Sequence, residues 1–309
     1  MIVSAALAAS LGAGLAVGKL TGGNSRYQKP GARAAAAADV WQPAVGAQWQ
    51  IVLEDGIQVK SGAAAATPDV PIFDLDLYTN TDDGTDAASV IGALHDLGKK
   101  VICYFSAGTY EPDRPDSDQY VAADKGATLP DWPDEKWVDI RRDSVRTIIK
   151  GRIDLAASMG CDGIDPDNMD GYDNQNGGGF TTPLTEQDSI DLIKLMASQA
   201  ASHNMAIGLK NALAIIPDVV DVVQFAVNEE CAAYTECSEM QPFIEAGKPV
   251  FHIEYPDDAG NQDGLSASVR AKYCDAKGTT GFSTVLKTYD LDGWVQYCDG
   301  TIATTPLVS

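Results

Sequence analysis

Residues 160–172 read GCDGIDPDNMDGY, and their reading decides the fold. Asp162, Asp165, Asp167 and Asp170 crowd into this one segment. Ile164 suits a strand interior, whereas Pro166 and Gly171 suit its end. Side chains two apart on a strand share a face, so Asp165 and Asp167 point the same way, with Asn168 and Asp170 on the turn beyond. Carboxylates packed this closely repel one another, which makes a purely structural role an awkward use of them. A calcium loop counted from Asp165 fails: Met169 falls on the third ligand position and Asn176 on the last. A short strand ending in carboxylates, flanked by helix-like segments, points to acid, base or nucleophile chemistry at the C-terminal end of a barrel strand.

The same pattern recurs along the chain. Apolar runs at 48–53, 70–78, 100–108, 206–211, 222–230, 249–255 and 281–287 read as strands, and with the aspartate-rich one they make eight. Helical stretches are expected at 87–97, at 143–158 with Asp143 as cap, and from the Thr185 cap to about 203. The expectation is an α/β fold, a single-domain (β/α)8 TIM barrel. WVDI at 137–140 is a surplus extended piece, at the end of a long Pro- and Asp-rich excursion over 110–132. GYDNQNGGGF at 171–180 reads as a flexible loop.

Ahead of the barrel, residues 1–20 are apolar and small, with no charge until Lys19: a signal peptide or signal anchor. Residues 21–39, rich in Gly and Ala, read as a linker, which leaves 40–309 as the catalytic domain. A membrane tether is expected only through that first segment.

The 309-residue chain carries a net charge of −22. That charge disfavours nucleic acid and anionic lipid and suits a cationic substrate. Six cysteines without a CxxC fit disulfides in a secreted protein, and three scattered histidines offer no zinc site. No metal or cofactor is expected, and no protein partner is evident. Cys231–Cys237 and Cys274–Cys298 are plausible local pairs, leaving Cys103 with Cys161, although fifteen connectivities stay open.

Each apolar run finishes in polar residues, which a parallel barrel gathers on one rim. The candidate contacts are Asp74, Asp76, Tyr104, Ser106, Asp165, Asn168, Lys210, Asn211, Asn228, Glu254 and Tyr255. Acids, amides and aromatics in this mixture suit a carbohydrate cleft. Glycoside cleavage needs two carboxyl groups across the scissile bond. Asp167 and Glu229 end strands two apart, with Lys210 on the strand between them, placed to keep Asp167 anionic as nucleophile while Glu229 serves as general acid. Two other classes stay open: a barrel that binds polysaccharide without cutting it, and a metal-dependent polysaccharide deacetylase. Trp132 and Trp137 read as packing residues.

WQIVL (49–53), VICYFSAG (101–108), WPDEKWVDI (132–140), GCDGIDPDNMDGY (160–172), GLKN (208–211), FAVNEEC (225–231) and VFHIEY (250–255) together resemble glycoside hydrolase family 114, the endo-α-1,4-polygalactosaminidases. The resemblance runs from about residue 40 to 298. It implies a (β/α)8 barrel that hydrolyses α-1,4-linked galactosamine within chains such as galactosaminogalactan, outside the cell. Its catalytic pair maps to Asp167 and Glu229. Asp165, Asn168, Lys210, Asn211 and Glu254 map to other motif positions as substrate contacts. The Gly-rich loop 174–180 is longer than the family pattern.

Overall fold

The structure is a computed structural model and describes residues 40–59, 65–78 and 87–308. The targeting segment and linker expected over 1–39 lie outside the described residues. Eight parallel strands follow one another around a barrel: β1 (Trp49–Val52), β2 (Ile72–Asp76), β3 (Lys100–Ser106), β4 (Gly163–Asp167), β5 (Ala206–Lys210), β6 (Phe225–Glu229), β7 (Val250–Glu254) and β8 (Ser283–Leu286). An antiparallel hairpin, β9 (Trp294–Tyr297) and β10 (Ile302–Thr304), extends the sheet beyond β8. All eight runs expected to be strands are strands.

The helices are fewer than a regular alternation supplies. α1 (Ala87–Asp96) precedes β3, α2 (Asp143–Met159) precedes β4 and α3 (Glu186–Ser202) precedes β5. Thr185 caps α3 by accepting from the Asp188 amide, while the Asp188 carboxylate accepts from the Thr185 amide, a reciprocal capping box. Asp143 is the first residue of α2 rather than its cap, which falls to Arg142 without a side-chain bond. Gly160 ends α2 at φ 92°, the left-handed conformation glycine enters without a Cβ clash. Only short helical turns, at Ile216–Val219, Cys231–Tyr234 and Gln241–Glu245, connect β5 through β7. A further helix, α4 (Ala267–Cys274), precedes β8.

Inside the barrel, Trp49, Phe251 and Phe225 meet ring to ring at 4.9 and 5.5 Å and fill its lower end. Gly208 makes room for that layer, since a Cβ there would stand 2.3 Å from the Phe225 ring. Above the aromatics the inward-facing residues turn polar. Period two along β4 and β6 carries Gly163 and Phe225 at the bottom up to Asp167 and Glu229 at the mouth.

No backbone ladder joins β8 to β1 among the described residues. Side chains close that seam: Trp49 Nε1 donates to Ser283 O at 2.8 Å, and Tyr297 Oη to Trp49 O at 3.0 Å. Fully buried Lys287 donates to Ile51 O at 2.8 Å and Asp292 O at 2.6 Å. The segment beyond β10 bridges back to the start of the barrel, Ile57 opposite Leu307.

The excursion after β3 is folded. Thr109–Tyr110, Lys125–Thr128 and Lys136–Val138 form a small antiparallel sheet, and the surplus WVDI piece belongs to it. Residues 171–180, read as a flexible loop, form two tight turns whose Gly178 and Gly179 press against Gly126 and Ala127 of that sheet. The cysteines pair as Cys103–Cys161, Cys231–Cys237 and Cys274–Cys298.

Candidate active site

Asp167, Lys210 and Glu229 end β4, β5 and β6, three adjacent strands, and meet at the mouth. Lys210 Nζ lies 3.3 Å from Asp167 Oδ2 and 3.3 Å from Glu229 Oε2. Burial works against the ammonium, but Asp167, Glu229 and Asp165 outweigh it and hold the Lys210 pKa well above its ordinary value. The lysine is therefore a fixed cation between two acids.

Each acid has its own phenol. Tyr104 Oη donates to Asp167 Oδ2 at 2.9 Å, and Tyr255 Oη donates to Glu229 Oε1. Burial, then the adjacent carboxylate, pushes both phenols well above their usual range, so they stay protonated donors. The Asn168 amide donates to Asp167 Oδ1 at 2.7 Å, and Asn211 Nδ2 donates to Glu229 Oε2 at 3.2 Å. Asn228 Nδ2 and the Glu229 amide both donate to Asn211 Oδ1, at 3.3 and 2.9 Å, which fixes the orientation of that amide.

The backbone turns sharply after each of these strands. Asn168, Asn211 and Glu230 have φ of 63°, 48° and 59°. Left-handed backbone at non-glycine residues is uncommon and clusters at functional sites. The end of β3 clamps the first of these turns: the Ala107 and Gly108 amides donate to Asp167 O at 2.9 and 3.1 Å. A Cβ on Gly108 would fall 1.7 Å from Asn168 O, so only glycine permits this approach.

Beneath the mouth sit two acids with no way to water. Asp74 and Asp165 are fully buried, and none of their carboxyl oxygens has a hydrogen-bond partner. Burial pushes Asp165 up to about 7, against the pull of Lys210. Burial and then the charge of Asp165 push Asp74 well above the carboxylate range. Both carboxyls lie within the field of Lys210, one layer below Asp167.

The other candidate residues divide by position. Asp76 is buried and grips Arg114 in a two-pronged pair at 2.9 and 2.7 Å. Ser106 Oγ is buried, donates to Thr109 Oγ1 at 2.6 Å and accepts from Asn168 Nδ2 at 3.0 Å. Glu254 is on the outer face of β7, fully buried against His252 Nε2 at 2.8 Å and the Ala232 amide at 2.7 Å. The structure thus brings Tyr104, Asp167, Asn168, Lys210, Asn211, Glu229 and Tyr255 together at the mouth and sets Asp74, Asp165, Asn228 and Glu254 into supporting layers. Trp137 is a packing residue, buried and donating to Gln175 Oε1. Trp132 is not: it is 51% exposed at the rim.

Residues of the excursion escaped the sequence reading. Arg152 of α2 is fully buried, holds Ser106 O at 2.6 Å and clasps Asp116 at 2.8 and 2.7 Å, which anchors the excursion to β3. Thr109 Oγ1 donates to Glu135 Oε2 at 2.8 Å. Burial, then the charge of Glu111, pushes Glu135 up to about 7. The length of this segment was the signal available. Among the described residues Cys231, Cys237 and His252 have metal-ligand spacing, but the two sulfurs are joined to each other.

The family model of glycoside hydrolases GH114 matches residues 30–303. Among solved structures, the chain is 47% identical to Aspergillus fumigatus Ega3, determined in complex with galactosamine; the match covers 84% of this chain and 97% of that one at a TM-score of 0.75. The glycoside hydrolase domain of Pseudomonas aeruginosa PelA shares the fold at 14% identity, over 79% of this chain and 95% of that one, TM-score 0.57. No curated protein sequence gives a significant match. With almost the whole barrel matched and the paired acids standing at its mouth, the chain belongs to glycoside hydrolase family GH114 and is a glycoside hydrolase.

Proposed function

We propose that this enzyme cuts within α-1,4-linked galactosamine polymers outside the cell, retaining configuration, with Asp167 as nucleophile and Glu229 as general acid and base. The observation that carries the mechanism is the shared lysine: both carboxylates stand 3.3 Å from one Nζ. Two oxygens each 3.3 Å from one nitrogen stand no more than about 6.6 Å apart, at the very bottom of the range of an inverting pair, which favours the retaining arrangement.

Asp167 suits the nucleophile. Its short side chain is pinned at one oxygen by a backbone amide and at the other by Tyr104 and Lys210, so the carboxylate is held in place and aimed. Glu229 has the longer side chain and the larger exposure, and it reaches the leaving oxygen. It gives its proton to that oxygen as the C–O bond breaks and Asp167 bonds carbon. It then takes a proton from the water that releases the sugar.

The substrate class follows from charge and from likeness. A chain at −22 attracts an ammonium-bearing polymer and repels an acidic one. The relative at 47% identity was captured with galactosamine. Three disulfides fit an oxidising, extracellular setting, and no helix among the described residues is long and apolar enough to cross a membrane.

Incubation with de-N-acetylated and fully N-acetylated α-1,4-galactosamine polymers tests the reading. Oligosaccharides released from the first, with the α-anomer appearing initially by proton NMR, are expected. Intact polymer in both reactions would overturn the substrate, and an initial β-anomer would overturn the retaining mechanism.

A further inference from the structure

We propose that the outer face of β7 carries a masked metal site: once the Cys231–Cys237 disulfide is reduced, Cys231, Cys237, His252 and Glu254 bind one thiolate-preferring dication of the zinc class. The site is separate from the sugar cleft and stands whatever polymer the enzyme cuts.

His252 and Glu254 lie two apart on β7 and so share a face, and neither has any exposed surface. The turn that follows β6 covers them. Cys231 opens that turn and Cys237 opens the next, and both are buried. The Ala232 amide donates to Glu254 Oε1 at 2.7 Å, and Cys231 Sγ lies 3.3 Å from His252 Nε2. Ligand atoms of Cys231, Cys237 and His252 all fall within 4.8 Å of one another. Glu254 Oε1 stands 2.8 Å from the same Nε2 and brings a fourth donor to the group.

Two observations beyond the cysteines point to a cation. Glu254 Oε2 is buried and has no hydrogen-bond partner, a costly state for a carboxyl oxygen. A disulfide needs neither an imidazole nor a carboxyl group beside it, and apolar residues fill such a face at less cost. His252 also has the outer contact of a metal-bound imidazole: its Nδ1 is 2.9 Å from Thr284 Oγ1. With Nε2 on the metal, Nδ1 keeps the proton and donates it to that hydroxyl.

The ligand atoms of a tetrahedral zinc site, with bonds of about 2.3 Å to sulfur and 2.0 Å to nitrogen, stand roughly 3.3–3.8 Å apart. The gap from Cys231 Sγ to His252 Nε2 is already 3.3 Å. The two sulfurs must part, and for this the bond between them has to be broken. A phosphine does so by giving two electrons to the S–S bond. Each sulfur takes up a proton from water, and the phosphine leaves as its oxide with the water oxygen. Zinc then displaces the two thiol protons to solvent and is held by two thiolates, one imidazole and one carboxylate. Thiolates and imidazole select zinc over calcium or magnesium. The group sits directly behind the catalytic glutamate: Glu229 is two residues before Cys231, and Tyr255 follows Glu254.

The test reduces the full chain anaerobically with tris(2-carboxyethyl)phosphine and titrates it with Co²⁺, then with Zn²⁺. We expect one equivalent of cobalt with the intense visible absorption of a tetrahedral thiolate site, displaced by one equivalent of zinc. The oxidised parent and reduced C231S/C237S are expected to show no such absorption. H252N and E254Q leave every cysteine in place and are each expected to weaken binding at least about tenfold. Cysteines of an unfolded chain would bind without regard to either residue, so unchanged affinity in H252N or in E254Q overturns the site. Failure of the reduced parent to take up cobalt, or uptake by C231S/C237S equal to that of the parent, overturns it too. So does a near-ultraviolet circular dichroism signal that is lost on reduction and not restored by one equivalent of zinc.

Discussion

Lys210 Nζ is held 3.3 Å from Asp167 Oδ2, and the same distance separates it from the partner acid on the next strand. The lysine is what lets two carboxylates stand so close. Its replacement by methionine leaves them facing one another without a counter-charge, and one must then take up a proton. For Lys210→Met we expect kcat to fall at least about a hundredfold and the acidic limb of the pH–rate profile to move upward. Arginine does not restore the rate, because the fully buried pocket was shaped for a slimmer group. A profile superimposable on that of the parent would remove Lys210 from the mechanism.

The two acids separate by chemical rescue. Asp167→Ala and Glu229→Ala are each expected to lose about a thousandfold or more in kcat. Azide added to a retaining enzyme replaces whichever group was lost, and the anomer of the product tells which. A glycosyl azide of β configuration from Asp167→Ala and of α configuration from Glu229→Ala is the expected pair. The opposite assignment exchanges the two roles.

Asp74 and Asp165 bear on stability. A carboxyl whose pKa is raised on folding binds its proton more tightly in the native state. Its contribution is therefore fully present below the unfolded value and is lost as pH rises through the folded one. For Asp165 that window runs from the ordinary aspartate range up to about 7. Asp165→Asn is expected to flatten the fall in melting temperature across this window and to gain roughly 2–4 kcal/mol relative to the parent at its alkaline end. Chemical denaturation at pH 5 and pH 8 reads the difference, and a parallel shift at both would contradict the assignment.

Gly108 makes a prediction of a different kind. Its substitution by alanine puts a methyl group into Asn168 O, so the turn that aims Asp167 must move. Activity is expected to fall at least about tenfold, since small displacements of a catalytic group are costly. Asn168→Gly, which relaxes the opposing turn, partly restores it if the clash is the cause. A fully active Gly108→Ala would mean the approach is not needed.

The disulfides close loops of very different length, with 58, 24 and 6 residues of separation. On loop entropy alone, losing Cys103–Cys161 costs about 4 kcal/mol and losing Cys231–Cys237 about 2. Paired alanine variants in urea should follow that order.

Much of this architecture was legible in the sequence because a barrel strand announces itself twice, by an apolar run and by the polar residues that end it. The eight strands and the grouping of Asp167, Lys210 and Glu229 came from that signature, and the helix cap at Thr185 from its residue type. Depth did not. Period two says that Asp165 and Asp167 share a face, but not that one lies a layer below the other, beyond reach of solvent. It also leaves open which face that is: Glu254 lies on the outside of β7, among His252 and Thr284, while Tyr255 turns inward. The excursion was illegible for another reason. Its strands are two to four residues long and alternate too briefly for any periodicity to register, so exposed Trp132 and buried Trp137 look alike in the chain.

The seam between β8 and β1 has a consequence for how the chain comes together. β1 is made before β8 and pairs with β2, but among the described residues its other edge is satisfied by residues 283–308, through Ser283, Lys287, Tyr297 and the bridge at Leu307. Until that stretch has left the ribosome, one edge of the growing sheet stands open to any passing strand. The cylinder is latched rather than woven shut, and the latch is made after the strand it holds.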